Sequence, residues 1–202
     1  MITSAEIQRC SWAGSDAVYI RYHDEEWGVP MTEDRDLFEK LVLEGFQAGL
    51  SWITILRKRE NFRKAFHNFD AARIARYSSR DVDRLLGNEG IIRNRAKIEA
   101  TISNAKAYLK IRERMPFAQY IWGFVDGRPI INALASSNDI KPETDVSKRM
   151  SKALKADGFR FVGSTTLYAF MQSTGMVNDH LVSCFRHAAC AKLQKKLSIA
   201  SP

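Results

Sequence analysis

The sequence predicts an all-α protein. Apolar residues recur at helical spacing through most of the chain. Capping residues, glycines and prolines bracket these runs, and no segment sustains the alternation of a half-buried strand. With 202 residues, 45% of them hydrophobic, the chain can bury one core, and residues 1–202 read as a single domain.

The elements follow in order. Asp34 or Asp36 can cap a helix whose Leu37, Phe38, Leu41, Val42 and Gly45 share a face. A break at Ala48-Gly49 precedes a helix from Ser51 to about Phe66, and Asp70 opens a short one through Tyr77. Ser78-x-x-Asp81 has capping-box spacing for a helix holding Val82, Leu85 and Leu86. Gly87, Asn88 and Gly90 make a turn into a long helix with Ile98, Ile102, Ala105 and Leu109 along one stripe, stopped at Pro116. Phe117 to Phe124 is a further helix, ended by Asp126-Gly127. Ile131 to Thr144 has the least pattern and reads as a loop. Helices over Ser147–Asp157 and Thr165–Ser173 close on Gly158 and Gly175, and a last one begins near Asp179.

A net charge of +8 favours polyanionic partners: DNA, RNA or an anionic membrane surface. The basic residues are spread over many helices, so none reads as a membrane anchor. The apolar stretch Gly45–Leu56 carries Gln47, Ser51 and Thr54 and falls short of a span of about 20 residues. The start of the chain lacks both a basic region and an apolar run, which argues against a signal peptide and for a cytoplasmic protein. Cys10, Cys184 and Cys190 are an odd set, better suited to reduced thiols or metal ligands than to a disulfide framework.

Three constellations carry chemistry. In the helix-turn-helix unit from Asp81 to Ala107, free N–H groups and the positive end of the second helix can hold a phosphate. Gly90 allows close approach, Ile91 continues the turn, and Arg93, Arg95 and Lys97 add charge. The bland alternative is an ordinary αα-hairpin. Next, Trp12, Tyr19, Tyr22, Trp27 and Trp52 accompany Glu44. Flat rings stack on a base and attract it more strongly if it is cationic, while a carboxylate accepts hydrogen bonds from its amino edge. The alternative is core aromatics beside a solvated acid, but Glu44 sits in an apolar stretch where an unpartnered charge is costly. Finally, His180-x-x-x-Cys184 has the i, i+4 spacing of chelating residues on a helix, and Cys10 and His23 could supply two more ligands for a closed tetrahedral zinc set of structural type, the alternative being unlinked residues. His187 and Cys190 compete as ligands on the same segment.

Several stretches together resemble the DNA-3-methyladenine glycosylase I family of the helix-hairpin-helix superfamily. They include Arg9-Cys-Ser-Trp12, Tyr19 to Pro30, Leu43 to Thr54, Arg57 to Asn61, Gly90-Ile-Ile-Arg93, Gly158 to Gly163 and Val177-Asn-Asp-His180. The hairpin has Ile92 where the usual motif has a second glycine. Residues Asn132–Glu143 and the tail from Phe185 match poorly, so nothing is carried over to them.

The resemblance implies a base pocket built by Trp12, Tyr19, Tyr22 and Trp52, with Trp27 a lesser member and Glu44 as the catalytic acidic group. It implies one structural zinc held by Cys10, His23, His180 and Cys184, joining the N- and C-terminal segments. It implies that Gly49 and Leu50 wedge into the duplex and that Gly90, Ile91 and Arg93 hold DNA. The partner implied is double-stranded alkylated DNA, met by a monomer associated with the nucleoid. Many relatives in the superfamily carry an aspartate about two dozen residues past the hairpin, but here no Asp occurs between Asp83 and Asp126. That absence points to selection by binding, with water as nucleophile and an abasic site as product. The rival classes are a non-catalytic hairpin DNA-binding protein and a zinc-stabilised module for RNA or a protein partner.

Overall fold

The computed structural model describes residues 7–199, so the first six residues of the leader reading lie outside it. Ten α-helices dominate the described residues: α1 Ala17–Glu25, α2 Asp34–Gln47, α3 Trp52–Ala65, α4 Ala71–Ile74, α5 Ser79–Leu86, α6 Arg95–Arg112, α7 Phe117–Trp122, α8 Asp145–Ala156, α9 Ser164–Ser173 and α10 Phe185–Gln194. Helix α2 is the axis of the fold. Every residue from Leu37 to Phe46 is buried, the polar Glu39, Lys40 and Glu44 included. A helix covered on all sides must be enclosed by others, and α3, α6, α7 and α9 pack around this one.

The predicted helix signals act largely as read. Asp70 caps α4 by accepting from Arg73 N. The Ser78–Asp81 box closes α5, with Ser78 N donating to Asp81 Oδ2 at 2.9 Å. Asn94 caps α6, so that helix starts five residues after Gly90 rather than at the turn itself. Its buried face is broader than the apolar stripe. Thr101 and Asn104 are buried too, and Asn104 exchanges two hydrogen bonds with the backbone of Arg160.

Three expectations need correction. Neither Asp34 nor Asp36 is the N-cap of α2, which is Glu33. Asp34 instead accepts from Ala118 N at 2.8 Å and caps α7 from outside, while pairing with Arg112. The region after Ile130 is not wholly loop. Ile130–Ile131 (β1) pairs in parallel with Val177–Asn178 (β2), and Leu134 bridges Leu181. Pairs this short leave no alternation to detect. Finally, the last helix starts at Phe185, not near Asp179. The chain from Val177 to Cys184 is held extended and turned by those bridges, so His180 and Cys184 do not share a helical face.

Candidate active site

The pocket is assembled from four helices, a 3-10 turn and the two connections that carry Trp27 and Ile140. Asp16 caps α1, accepting from Val18 N and Tyr19 N, and the helix then places Tyr19 and Tyr22 three residues apart on one face. A short 3-10 turn, Ser11–Ala13, carries Trp12. Its ring centroid lies 5.1 Å from Tyr19, 6.3 Å from Tyr22 and 5.0 Å from Trp27. Trp52, the first residue of α3, sits 5.7 Å from Tyr22. These five rings and Glu44 line a cavity of about 240 Å³. The structure therefore brings together every aromatic residue named from the sequence. Gln47, Ile140, Ala169, Gln172 and Ser173 complete the walls. None of these five was foreseen; Gln172 and Ser173 read as ordinary helix residues, and only the folding of α9 against α2 brings them to the pocket.

Glu44 is 3% exposed, and its Oε1 accepts from Ser173 Oγ at 3.0 Å. Burial pushes its carboxyl up to about 7, against the opposing pull of the Lys40 charge and the Ser173 hydroxyl. Lys40, also buried, places its ammonium 4.9 Å from the Tyr22 ring centroid and 5.1 Å from that of Trp52. Burial, with the Glu44 charge, also raises the Tyr22 phenol, so its ring stays neutral. A larger cavity of about 380 Å³ includes Lys40 but no aromatic wall. Its charges are matched internally, Arg59 with Glu26 and Arg63 with Glu39, so it offers a flat guest nothing to stack on.

Cys10, His23, His180 and Cys184 are all buried, and their ligand atoms lie within 4.8 Å of one another. The hydrogen bonds around them suit a metal. His23 Nδ1 meets Asp24 Oδ1 at 2.7 Å, which leaves Nε2 facing Cys184 Sγ at 3.5 Å. His180 Nε2 meets the Trp27 carbonyl at 3.0 Å, which leaves Nδ1 3.7 Å from Cys10 Sγ and 3.6 Å from Cys184 Sγ. Each imidazole is thus oriented by one nitrogen and turns the other towards the sulfurs, the outer-shell pattern of metal-binding histidines, although His23 Nε2 also accepts from Cys10 N at 3.4 Å. The Cys10 thiol, hydrogen-bonded to Cys184, pushes the Cys184 sulfur towards thiolate. The competing ligands are spent elsewhere: His187 Nε2 meets the Asn132 carbonyl, and Cys190 Sγ faces Trp27 O.

The hairpin of α5 and α6 stands apart from the pocket residues. Gly90 N–H is taken by Asn88 Oδ1 at 2.9 Å, and a Cβ on Gly90 would meet Asn61 at 3.1 Å. The glycine therefore serves the approach of α3 as well as any ligand. Ile91 is buried in the core, so only its backbone borders the turn. Lys97 is not a surface charge as expected; it is buried and caps the end of α2 through the Phe46 and Ala48 carbonyls. Arg95 is engaged by Asp83 and Glu99. Arg93 is exposed and only loosely paired with Glu89 at 3.5 Å. Between α2 and α3, Gly49 takes φ +81°, a value few side chains tolerate, and Leu50 beside it is 39% exposed.

These features define a helical protein with a ring-walled pocket of nucleobase size, closed by one buried carboxylate. Residues 12–187 match the methyladenine glycosylase family, and the chain belongs to that family. It is 52% identical over 177 residues to the DNA-3-methyladenine glycosylase of Haemophilus influenzae, covering 87% of this chain and 96% of that relative. A crystal structure of 3-methyladenine DNA glycosylase I superposes with a TM-score of 0.88 at 55% identity, covering 89% of this chain and all of that one. A variant of 3-methyladenine DNA glycosylase I in complex with 3-methyladenine superposes with a TM-score of 0.86 at 35% identity, covering 89% and 97% of the two chains. No helix among the described residues is long and apolar enough to cross a membrane.

Proposed function

We infer that this chain is a base-excision glycosylase that hydrolyses the N-glycosidic bond of 3-methyladenine in alkylated double-stranded DNA, releasing the free base and leaving an abasic site. The observation that carries this is the single buried carboxylate, Glu44, inside a cage of five aromatic rings. Its burial has no structural reward comparable to that of an apolar residue at the same place.

Methylation at N3 makes the base cationic, and it leaves as a neutral molecule when the bond to the sugar breaks. Strong acid catalysis is then unnecessary, in keeping with the lack of an aspartate from residue 84 to residue 125. Extruding the base costs a few kcal/mol of unstacking. Each cation–π contact returns about 0.5 to 2 kcal/mol that neutral adenine cannot match. Glu44 accepts hydrogen bonds from the amino edge and stabilises positive charge developing on the sugar, where water attacks. Leu50 and Gly49 fill the gap left in the duplex, and Arg93 holds a phosphate beside the turn at Gly90 and Ile91, whose own N–H groups are taken by Asn88. Cys10, His23, His180 and Cys184 hold one zinc as a structural clamp with no open position.

The test is to incubate the chain with methylated DNA and identify the bases released. Free 3-methyladenine with matching abasic sites is expected. Tight binding with no released base would reject the enzyme and favour a non-catalytic DNA-binding protein.

A further inference from the structure

Asp179 is 1% exposed and accepts three hydrogen bonds of 2.7 Å: Asn132 Nδ2 at Oδ1, and Tyr168 OH and Gln172 Nε2 at Oδ2. The base-excision reading gives this residue no role. Its consequence lies at Gln172, which lines the base pocket. An amide can be turned either way by its surroundings. Here a carboxylate accepts from its nitrogen, so the nitrogen is committed to Asp179. The amide oxygen, Oε1, accepts no hydrogen bond among the described residues, nor does Oε2 of Glu44. Two acceptors on side chains lining the pocket thus lack a partner, one on α2 and one on α9, beside one unpartnered donor, Trp52 Nε1.

Resting on the base-excision reading, we propose that Gln172, held by Asp179 with its amide oxygen available to the guest, determines specificity for adenine over guanine. The exocyclic amino group of adenine has two N–H donors, enough for both acceptors. Guanine carries an acceptor oxygen at the same ring position. Placed there, it would face two further acceptors, with its own lone pairs and theirs left unsatisfied in a buried site. Asp179 acts as a positioning residue: it never touches the guest but decides which end of the Gln172 amide does. The same hub gathers Asn132, just after β1, and Tyr168 of α9, whose phenol is raised by burial and by this hydrogen bond.

The experiment measures the affinities of the full chain for free 3-methyladenine and free 3-methylguanine, and reads their ratio. Asp179→Leu removes the acceptor that commits the Gln172 nitrogen, so the amide is free to turn its N–H groups to the pocket. The preference for 3-methyladenine is expected to fall about tenfold or more, the worth of one hydrogen bond gained by one guest or lost by the other. Gln172→Leu keeps the bulk and removes the acceptor. It is expected to weaken 3-methyladenine about tenfold while leaving 3-methylguanine no weaker. Asp179 adjoins His180, so folding of its variant is checked first; if that variant does not fold, the ratio for Gln172→Leu decides alone. An unchanged ratio in the folded variants overturns the proposal, whatever their absolute affinities. If the wild-type chain binds no 3-methyladenine at all, the base-excision reading itself fails, and this one with it.

Discussion

The Lys97 ammonium lies 2.6 Å from the Ala48 carbonyl oxygen and 2.8 Å from that of Phe46. This ties the first turn of α6 to the last carbonyls of α2, immediately before Gly49 and Leu50. A helix leaves its final carbonyls without partners, and here a buried cation supplies them. Lys97→Met would leave both without a charged donor and should cost about 2 to 3 kcal/mol of stability by chemical denaturation. Because the same contact sets the start of the 48–50 turn, excision from duplex DNA should fall more than affinity for the free base. Equal losses in the two assays would show that Lys97 matters to the fold alone.

Glu44 gives a dependence on pH whose sign is fixed by its burial. Its carboxyl, raised to about 7, is protonated in the free protein below that pH and ionised above it. A cationic lesion is attracted to the ionised form, so kcat/KM should rise as pH increases through about 7. Stability runs the other way. Unfolded chains lose this proton near the ordinary carboxyl value while the folded chain keeps it to about 7, so stability falls as pH rises across that interval. Glu44→Gln should flatten both profiles and lower excision. A variant with the full wild-type rate and lesion affinity would remove Glu44 from the mechanism.

Much of this was legible in the sequence because it depends on residue type and local spacing. Trp12, Tyr19, Tyr22 and Trp52 are large, and Glu44 stands out in an apolar stretch. The turn at Ala48-Gly49 and the Ser78–Asp81 box are local chemistry, which a single chain displays. What could not be read depends on distant partners. Lys97 looks like a surface base until the end of α2 is seen to lie against it. Ser173 and Gln172 are unremarkable polar residues in α9 until that helix packs beside α2. His180 and Cys184 have helical spacing but not helical conformation, because two short parallel contacts with residues 130–134 hold that segment instead. The four ligands converge all the same, through tertiary structure rather than periodicity.

Of Arg93, Arg95 and Lys97, the cations near the hairpin turn, Arg93 has the weakest hold inside the protein. If it contacts phosphate, Arg93→Ala should weaken DNA binding equally across sequences and reduce the slope of log affinity against log salt by about 1. Arg95→Ala should do less, since Asp83 and Glu99 already engage that side chain. Affinity for free 3-methyladenine should stay unchanged in both. Loss confined to particular flanking sequences would mean a base contact and contradict the phosphate assignment.

The proposed zinc clamp of Cys10, His23, His180 and Cys184 predicts a separation of stability from chemistry. Purified chain should contain one zinc, lost in Cys184→Ala. The residues at stake come from both ends of the described chain, Cys10 and His23 on one side, His180 and Cys184 on the other, so removing the ion frees both segments at once. A lower Tm is expected, and the unfolding transition should shift with chelator concentration. Trp12 lies within 5.1 Å of His23 by ring centroid, and Trp27 within 4.6 Å of His180, so the clamp also supports the pocket wall. Loss of metal should therefore weaken base affinity, and restoring zinc to the wild-type chain after chelation should recover it. The set has four protein ligands and no open position, so the pH profile set by Glu44 should keep its midpoint in whatever fraction remains folded. A midpoint that moved with metal content would place the ion in the chemistry, and a carefully prepared chain without metal but fully stable would remove the clamp altogether.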